Sequence, residues 1–298
     1  MRTAFKAPVL ATFLSLLFLC SCATEQPASR DNVQSKLPPE VPINESAGRG
    51  GWVVVTLHTQ NGEAFPFLLD TGTSATLFDK SVASKLGKSL GDVSVVGWGQ
   101  KNEGHIYAMP RLYLGDVALK VPGEAATYDF GSLNDGKGAR ILGILGYDTL
   151  RHYCIQLDFA AGKMRFLDDK TADKSSWGKA FPIRDLNVDD ERPSVEQNLL
   201  GQHGPHSLID TGSNNDGWLM KKNYWEWTNS VSFKGQAKKP YGLFDGLQYP
   251  FISLGSANVE SDGIGIRFLA RHLVTLDFPK RKLYLKLQSV YPLPNLKK

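Results

Sequence analysis

One short pattern occurs twice in this chain, 140 residues apart. The first copy is Phe67-Leu68-Leu69-Asp70-Thr71-Gly72-Thr73-Ser74, and the second is Ser207-Leu208-Ile209-Asp210-Thr211-Gly212-Ser213-Asn214. An apolar run entering Asp-Thr-Gly reads as a buried strand ending in a turn, with a carboxylate delivered at the turn. One such tripeptide is compatible with chance in a chain of 298 residues; two with matching flanks are not. The fold must therefore contain two equivalent strand–turn units. Two carboxylates presented by the same device suggest a symmetric pair able to share one proton.

The repetition extends beyond the motif. At an offset of 140, Thr56 to Thr73 lies over Glu196 to Ser213 without a gap; at 119, Ile144 to Phe159 lies over Gly263 to Phe278. The second offset places Leu145-Gly146 over Ile264-Gly265 and Leu157-Asp158-Phe159 over Leu276-Asp277-Phe278. This is a repeat at the scale of a domain. Between the copies, Thr171 to Lys179 is polar and turn-rich and reads as the linker. Within each copy the segments are short and strand-like. Trp52 to His58 and Ala64 to Leu69 flank an Asn61-Gly62 hairpin turn, and Val95 to Tyr107 forms a second hairpin with a glycine-rich tip. Helical patches are brief, so the body is expected to be all-β.

Asp-Thr-Gly followed by a hydroxyl residue after an apolar strand, with a later apolar-apolar-Gly segment, resembles the aspartic proteases. The resemblance covers both halves, residues 50 to 290. It implies a bilobal pepsin-like fold built from two pseudo-twofold-related β-barrel lobes, each as short as a retropepsin. Asp70 and Asp210 would form the catalytic dyad of an endopeptidase that activates a water and needs no covalent intermediate, metal or other cofactor. Gly72 and Gly212 allow a tight turn and close backbone N–H approach to the carboxylates. By resemblance, Thr71 and Thr211 would hydrogen-bond across the lobes. Thr73 and Ser213 would donate to the outer carboxylate oxygens, which favours the ionised form and an acid-side optimum. A peptide substrate would lie extended under the first hairpin, with Trp98 or Tyr107 facing it.

The N-terminus adds a location. Arg2 and Lys6 precede an apolar stretch from Pro8 to Leu19, which ends in Leu19-Cys20-Ser21-Cys22. This looks like a bacterial lipobox and implies a signal peptide over 1–21, lipidation of Cys22 and a membrane anchor. Ala23 after the cysteine goes with the periplasmic face of the outer membrane; the alternative is an ordinary secretory signal cut nearby, for instance after Ala23. Residues 22–48 are rich in Pro, Ser, Glu, Gln and Asn and are expected to be a tether. The lobes are then 49–172 and 173–298. The net charge is +4, and +2 without Arg2 and Lys6, which gives no argument for nucleic acid. Because both halves of the site lie in one chain, a monomer is expected.

Other features read more plainly. Cys154, in an apolar run, is expected to be a buried structural cysteine, and the mature chain has no pair for an intrachain disulfide. His203-Gly204-Pro205-His206 reads as a hairpin loop. Two other functions fit the same residues: a periplasmic lipoprotein that binds extended peptides without cutting them, and a site assembled by dimerisation of one lobe with the other vestigial.

Overall fold

Alternation organises the first lobe. In the strand Val54–Thr59, Val55 and Leu57 are buried while Val54 and Thr56 are not, so one face turns inward. Gly62, at φ +83°, closes the turn, and Ala64–Leu69 returns in antiparallel register, Val54 opposite Leu68 and His58 opposite Ala64. Alternation then stops: Phe67, Leu68 and Leu69 are all fully buried. The reason is position. The strand is flanked by Val54–Thr59 on one side and, in parallel, by Gly143–Leu145 on the other, with both faces covered. The turn that ends it delivers Asp70.

The computed structural model describes residues 36–97, 100–134, 140–168, 170–228, 236–257 and 259–288. The described body is mostly β and consists of three sheets. The first lobe has nine strands, in the order Gly91–Gly97, Gln100–Ala108, Glu124–Tyr128, Leu77–Asp79, Gly143–Leu145, Ala64–Leu69, Val54–Thr59, Leu112–Leu114 and Val117–Ala118. The second has seven, in the order Arg184–Asn187, Asp190–Gln197, His203–Asp210, Asp262–Gly265, Gly217–Met220, Leu247–Ala257 and Gln236–Phe244. In each lobe the strand bearing the aspartate is paired in parallel with the apolar-Gly strand, Ile144 beside Leu68 and Gly263 beside Leu208. Both sequence offsets, 140 and 119, are thus obeyed by the pairing.

The third sheet joins the lobes. Its six strands run Val41–Pro42, Lys163–Leu167, Cys154–Asp158, His272–Asp277, Lys282–Leu287 and Lys179–Pro182. At its centre Cys154 pairs with Asp277 and Asp158 with Leu273, so the register is symmetric about Gln156 opposite Thr275. These two residues are themselves 119 apart. The pseudo-twofold axis therefore passes through this pair, where Gln156 Nε2 donates to Thr275 Oγ1 at 3.0 Å. Ile155, Leu157, Val274 and Leu276, beside them, are fully buried, and each such side chain contributes about 1.5–3 kcal/mol of transfer free energy.

The fold begins earlier than the expected tether boundary of 48. Val41–Pro42 pairs with Met164 and Lys163, and Ile43 and Ala47 are buried. Val41-Pro42-Ile43 is the counterpart, again at an offset of 140, of Phe181-Pro182-Ile183, whose strand pairs with Lys282–Leu287 on the opposite edge. The linker is pinned as well. Asp173 caps a short turn at Lys174–Ser176, Lys174 reaches the buried Asp277 at 3.0 Å, and Trp177 packs edge-on to Tyr284 in a cluster with the buried Cys154.

Candidate active site

Each aspartate sits where a buried strand runs into a turn that the apolar-Gly segment holds from below. Asp70 N donates to Leu145 O at 3.1 Å, and Tyr147 N donates to Thr73 O at 2.8 Å. In the second lobe Ile266 N donates to Ser213 O at 2.8 Å and Arg267 N to Asn215 O at 3.1 Å. The short helices Tyr147–Leu150 and Ile266–Leu269 thus present their first N–H groups to the two loops.

The loops cross-link as the resemblance implies. Thr71 Oγ1 donates to Ile209 O at 2.6 Å, and Thr211 Oγ1 donates to Leu69 O at 2.8 Å. Thr71 N and Thr211 N in turn donate to the opposite hydroxyl oxygens at 3.0 and 3.1 Å. All four groups are buried, so each satisfied bond here also avoids the 1–3 kcal/mol penalty of about that size for an orphaned polar group. The result sets the Asp70 carboxyl against Gly212 and the Asp210 carboxyl against Gly72, side by side at the crossing of the loops. Glycine is required at both turns for a steric reason: a Cβ on Gly72 would lie 2.4 Å from Asp210 Cγ, and one on Gly212 2.3 Å from Asp70 Cγ.

The pair is not symmetric. Asp70 accepts from Gly72 N at 2.8 Å, Thr73 N at 3.2 Å and Thr73 Oγ1 at 2.6 Å. Asp210 accepts from Gly212 N at 2.8 Å. Ser213, expected to donate to Asp210, turns its hydroxyl to Asn215 Oδ1 at 3.1 Å instead, because Asn215 offers a local acceptor two residues on. Burial pushes the Asp70 carboxyl above its ordinary range against the pull of Thr73 and Gly72. Burial and then the charge of Asp70 push Asp210 well above it. Neighbouring carboxyls resist double ionisation, and the larger set of donors on Asp70 favours its ionised form over that of Asp210.

Three residues near the pair were not legible as site residues. Trp52 Nε1 donates to Gly212 O at 2.7 Å, and Arg192 Nη1 donates to Gly72 O at 2.7 Å. Asp190 holds Arg192 through its Nε at 2.9 and 3.0 Å. Trp52 and Arg192 are 140 apart, so extending the repeat four residues toward the N-terminus reaches them. Their unlike side chains hide the equivalence.

Around the loops the lobes use different chemistry. Thr76 donates through N and Oγ1 to Asp148 at 2.8 and 2.6 Å. At the second lobe's counterpart positions stand Asp216 and Arg267, and the buried Asp216 accepts from Arg271 Nη2 at 3.1 Å and Ser253 N at 2.9 Å.

The first-lobe hairpin is present, Gly91–Gly97 against Gln100–Ala108. Its Val95 packs against the buried cluster that includes Leu68, Leu77 and Ile144, on the strands beside Asp70. Trp98 lies outside the described residues, as does Cys22. Tyr107 is 6% exposed at the hairpin base, opposite Ala125 and edge-on to His105. By strand alternation it is on the other face from Val95, so the structure does not bring it to the carboxylates. In the second lobe, Leu247–Ala257 runs parallel to Gly217–Met220, as Glu124–Tyr128 does to Leu77–Asp79. Gln236–Phe244 therefore occupies the place of Gln100–Ala108, and among the described residues no strand takes the place of Gly91–Gly97. His206 Nδ1 sits 3.1 Å from both Ser194 Oγ and the Asp185 carbonyl, within the sheet's own hydrogen bonding.

Comparison with known proteins bears on the family pattern and the fold. Residues 54–149 match the family model described as aspartyl protease. Comparison with curated proteins found no match. Among solved structures, the aspartic proteinase from Irpex lacteus superposes with a TM-score of 0.55 at 14% identity, covering 86% of this chain and 99% of that one. Residues of the first lobe match the aspartyl protease family model, and the described body has a bilobal pepsin-like fold.

Proposed function

We propose that the chain is an aspartic endopeptidase, and the observation that carries this reading is that the crossed Asp-Thr-Gly loops place each aspartate carboxyl directly against the glycine of the opposite turn. Two carboxylates brought side by side cannot both ionise cheaply, so between the first and second deprotonation the pair is a monoanion. Asp70, with three donors on its oxygens, is the base that takes a proton from a water bound between the carboxyls. The water attacks the peptide carbonyl carbon, and protonated Asp210 donates to the developing oxyanion. Collapse of the tetrahedral adduct passes a proton to the leaving nitrogen and breaks the C–N bond, giving a carboxylate and an amine. No bond forms between enzyme and substrate.

The pH dependence follows from the same groups. Activity rises as the pair loses its first proton and falls as it loses the second. Because burial and the Asp70 charge raise Asp210 above the ordinary carboxyl range, the falling limb lies above that range. The edge strand Gly91–Gly97 supplies an edge for an extended peptide. The Cys22 lipobox supports a place at the periplasmic face of the outer membrane, anchored by lipid, as a monomer.

The test is cleavage of an unfolded protein between about pH 3 and 6, blocked by a statyl peptide and lost in Asp70→Asn and in Asp210→Asn. Tight peptide binding without turnover at any pH would instead select the non-cutting peptide-binding lipoprotein.

A further inference from the structure

The structure assigns Trp52 and Arg192 as a pseudo-equivalent pair of positioning residues, each bracing the opposite lobe's aspartate loop, with Arg192 also bringing a cation that favours the singly ionised pair. This rests on the dyad reading above and deepens it. Trp52 and Arg192 each lie two residues before a strand position of identical register, Val54 opposite Leu68 and Ser194 opposite Leu208. Each crosses the lobe boundary to the glycine carbonyl of the other Asp-Thr-Gly turn, both at 2.7 Å.

The consequences differ because of the peptide unit each one holds. The Gly72 carbonyl and the Thr73 N–H belong to one planar peptide. Arg192 draws on the carbonyl, and the N–H at the other end of that plane points at Asp70 Oδ1, 3.2 Å away. A cationic donor on the carbonyl polarises the N–H and strengthens its bond to a carboxylate. In the second loop Trp52 holds the Gly212 carbonyl, but the Ser213 N–H of that peptide turns to the Asp210 main-chain oxygen at 3.4 Å. Asp210 therefore lacks the bond that Asp70 has. Trp52 braces without charge; Arg192 braces and adds a charge.

The charged groups around Arg192 are Asp190, on its own strand, and the two dyad carboxyls across from it, Asp210 more strongly than Asp70, so its cation acts on the pair as a unit. Glu191, its neighbour in sequence, pairs away with Arg151. Asp190 grips the guanidinium through Nε and Nη2, which leaves Nη1 aimed at Gly72. Asp190 also offsets part of the charge, so the field at the dyad is that of a partly neutralised cation and its expected effect is small.

Two variants separate brace from charge. Trp52→Phe keeps the ring and loses only the N–H donor; turnover should fall about tenfold with KM and both pH limbs unchanged. Arg192→Met should lower turnover and also move both limbs of the pH profile upward by about half a unit, because the monoanion loses a favourable cation. Arg192→Lys should return the limbs toward their original position while recovering only part of the turnover, since an ammonium cannot reproduce the fork. The same shift is read without turnover by ¹³C-carboxyl NMR titration of aspartate-labelled protein, with folding of every variant checked by thermal unfolding. An inactive wild type in which Arg192→Met still moves the carboxyl titration would defeat the protease reading but keep this one. An active wild type with unmoved limbs and titration in folded Arg192→Met, or with full turnover in Trp52→Phe, would overturn it. If Arg192→Met does not fold, Arg192→Lys decides: limbs in place with reduced turnover uphold the assignment, and wild-type turnover overturns it.

Discussion

His272 sets an acid limit on the joint between the lobes. It begins the strand that pairs with the first lobe, is 1% exposed, and lies against the rings of Phe268 and Tyr249 at centroid distances of 5.2 and 5.4 Å. Tyr249 Oη is 3.0 Å from Nε2. Burial lowers its pKa from 6.5 to about 4. Since the folded value is depressed, the unfolded chain binds more protons below pH 6.5, and stability falls as pH drops from there. The loss levels off below about pH 4, where the folded state also takes up the proton. Linkage puts the loss at ~2 kcal/mol by pH 5 and ~3 kcal/mol by pH 4. His272→Gln removes the titration and keeps an acceptor for the tyrosine. Urea unfolding of both proteins at pH 7, 5 and 4, followed by tryptophan fluorescence, should show the stability gap closing or reversing by that amount as pH falls. Parallel losses in the two proteins would refute the reasoning, because the acid sensitivity would then come from other groups.

Further outcomes follow from the asymmetry of the pair and from the edges of the fold. Thr73→Ala should reduce turnover by about tenfold or more, as loss of a charge-assisted donor does, whereas Ser213→Ala should leave it within about twofold; steady-state kinetics distinguishes them. Asp210→Asn should raise the melting temperature at neutral pH, because a buried carboxyl whose pKa is raised destabilises the fold once ionised; differential scanning calorimetry at pH 7 checks the sign. Gly212→Ala should abolish turnover, since its Cβ has no room beside Asp70, while circular dichroism remains that of a β protein. Ile43→Ala should destabilise by about 2–4 kcal/mol in denaturant titration, a loss that a tether residue would not produce.

Much of this was legible because the chain repeats itself. The motif pair and the two offsets specify two equivalent units whose aspartates face each other, while the crossing threonines and the apolar-Gly strand beneath each loop were implied by the resemblance to the aspartic proteases. Three things were not legible, each for a physical reason. The segment at Val41 looks like a tether because Pro, Glu and Asn dominate its composition, yet two strand residues and one buried isoleucine suffice to add an edge to an existing sheet. Ser213 has the residue type of a carboxylate donor, but a hydroxyl takes the acceptor nearest in space, and Asn215 supplies one. Trp52 and Arg192 do the same work with unlike side chains, so no residue-by-residue comparison pairs them. Tyr107 shows the converse limit: an aromatic in the expected hairpin, aimed by strand alternation at the other face.

The central claim is that Asp70 and Asp210 act as one unit sharing one proton. Turnover of an unfolded protein by Asp70→Asn, Asp210→Asn and the double variant tests it most directly. The dyad predicts that each single change removes as much activity as both together, because neither carboxyl works alone. A single variant that keeps substantial turnover, or losses that add in the double variant, would contradict it.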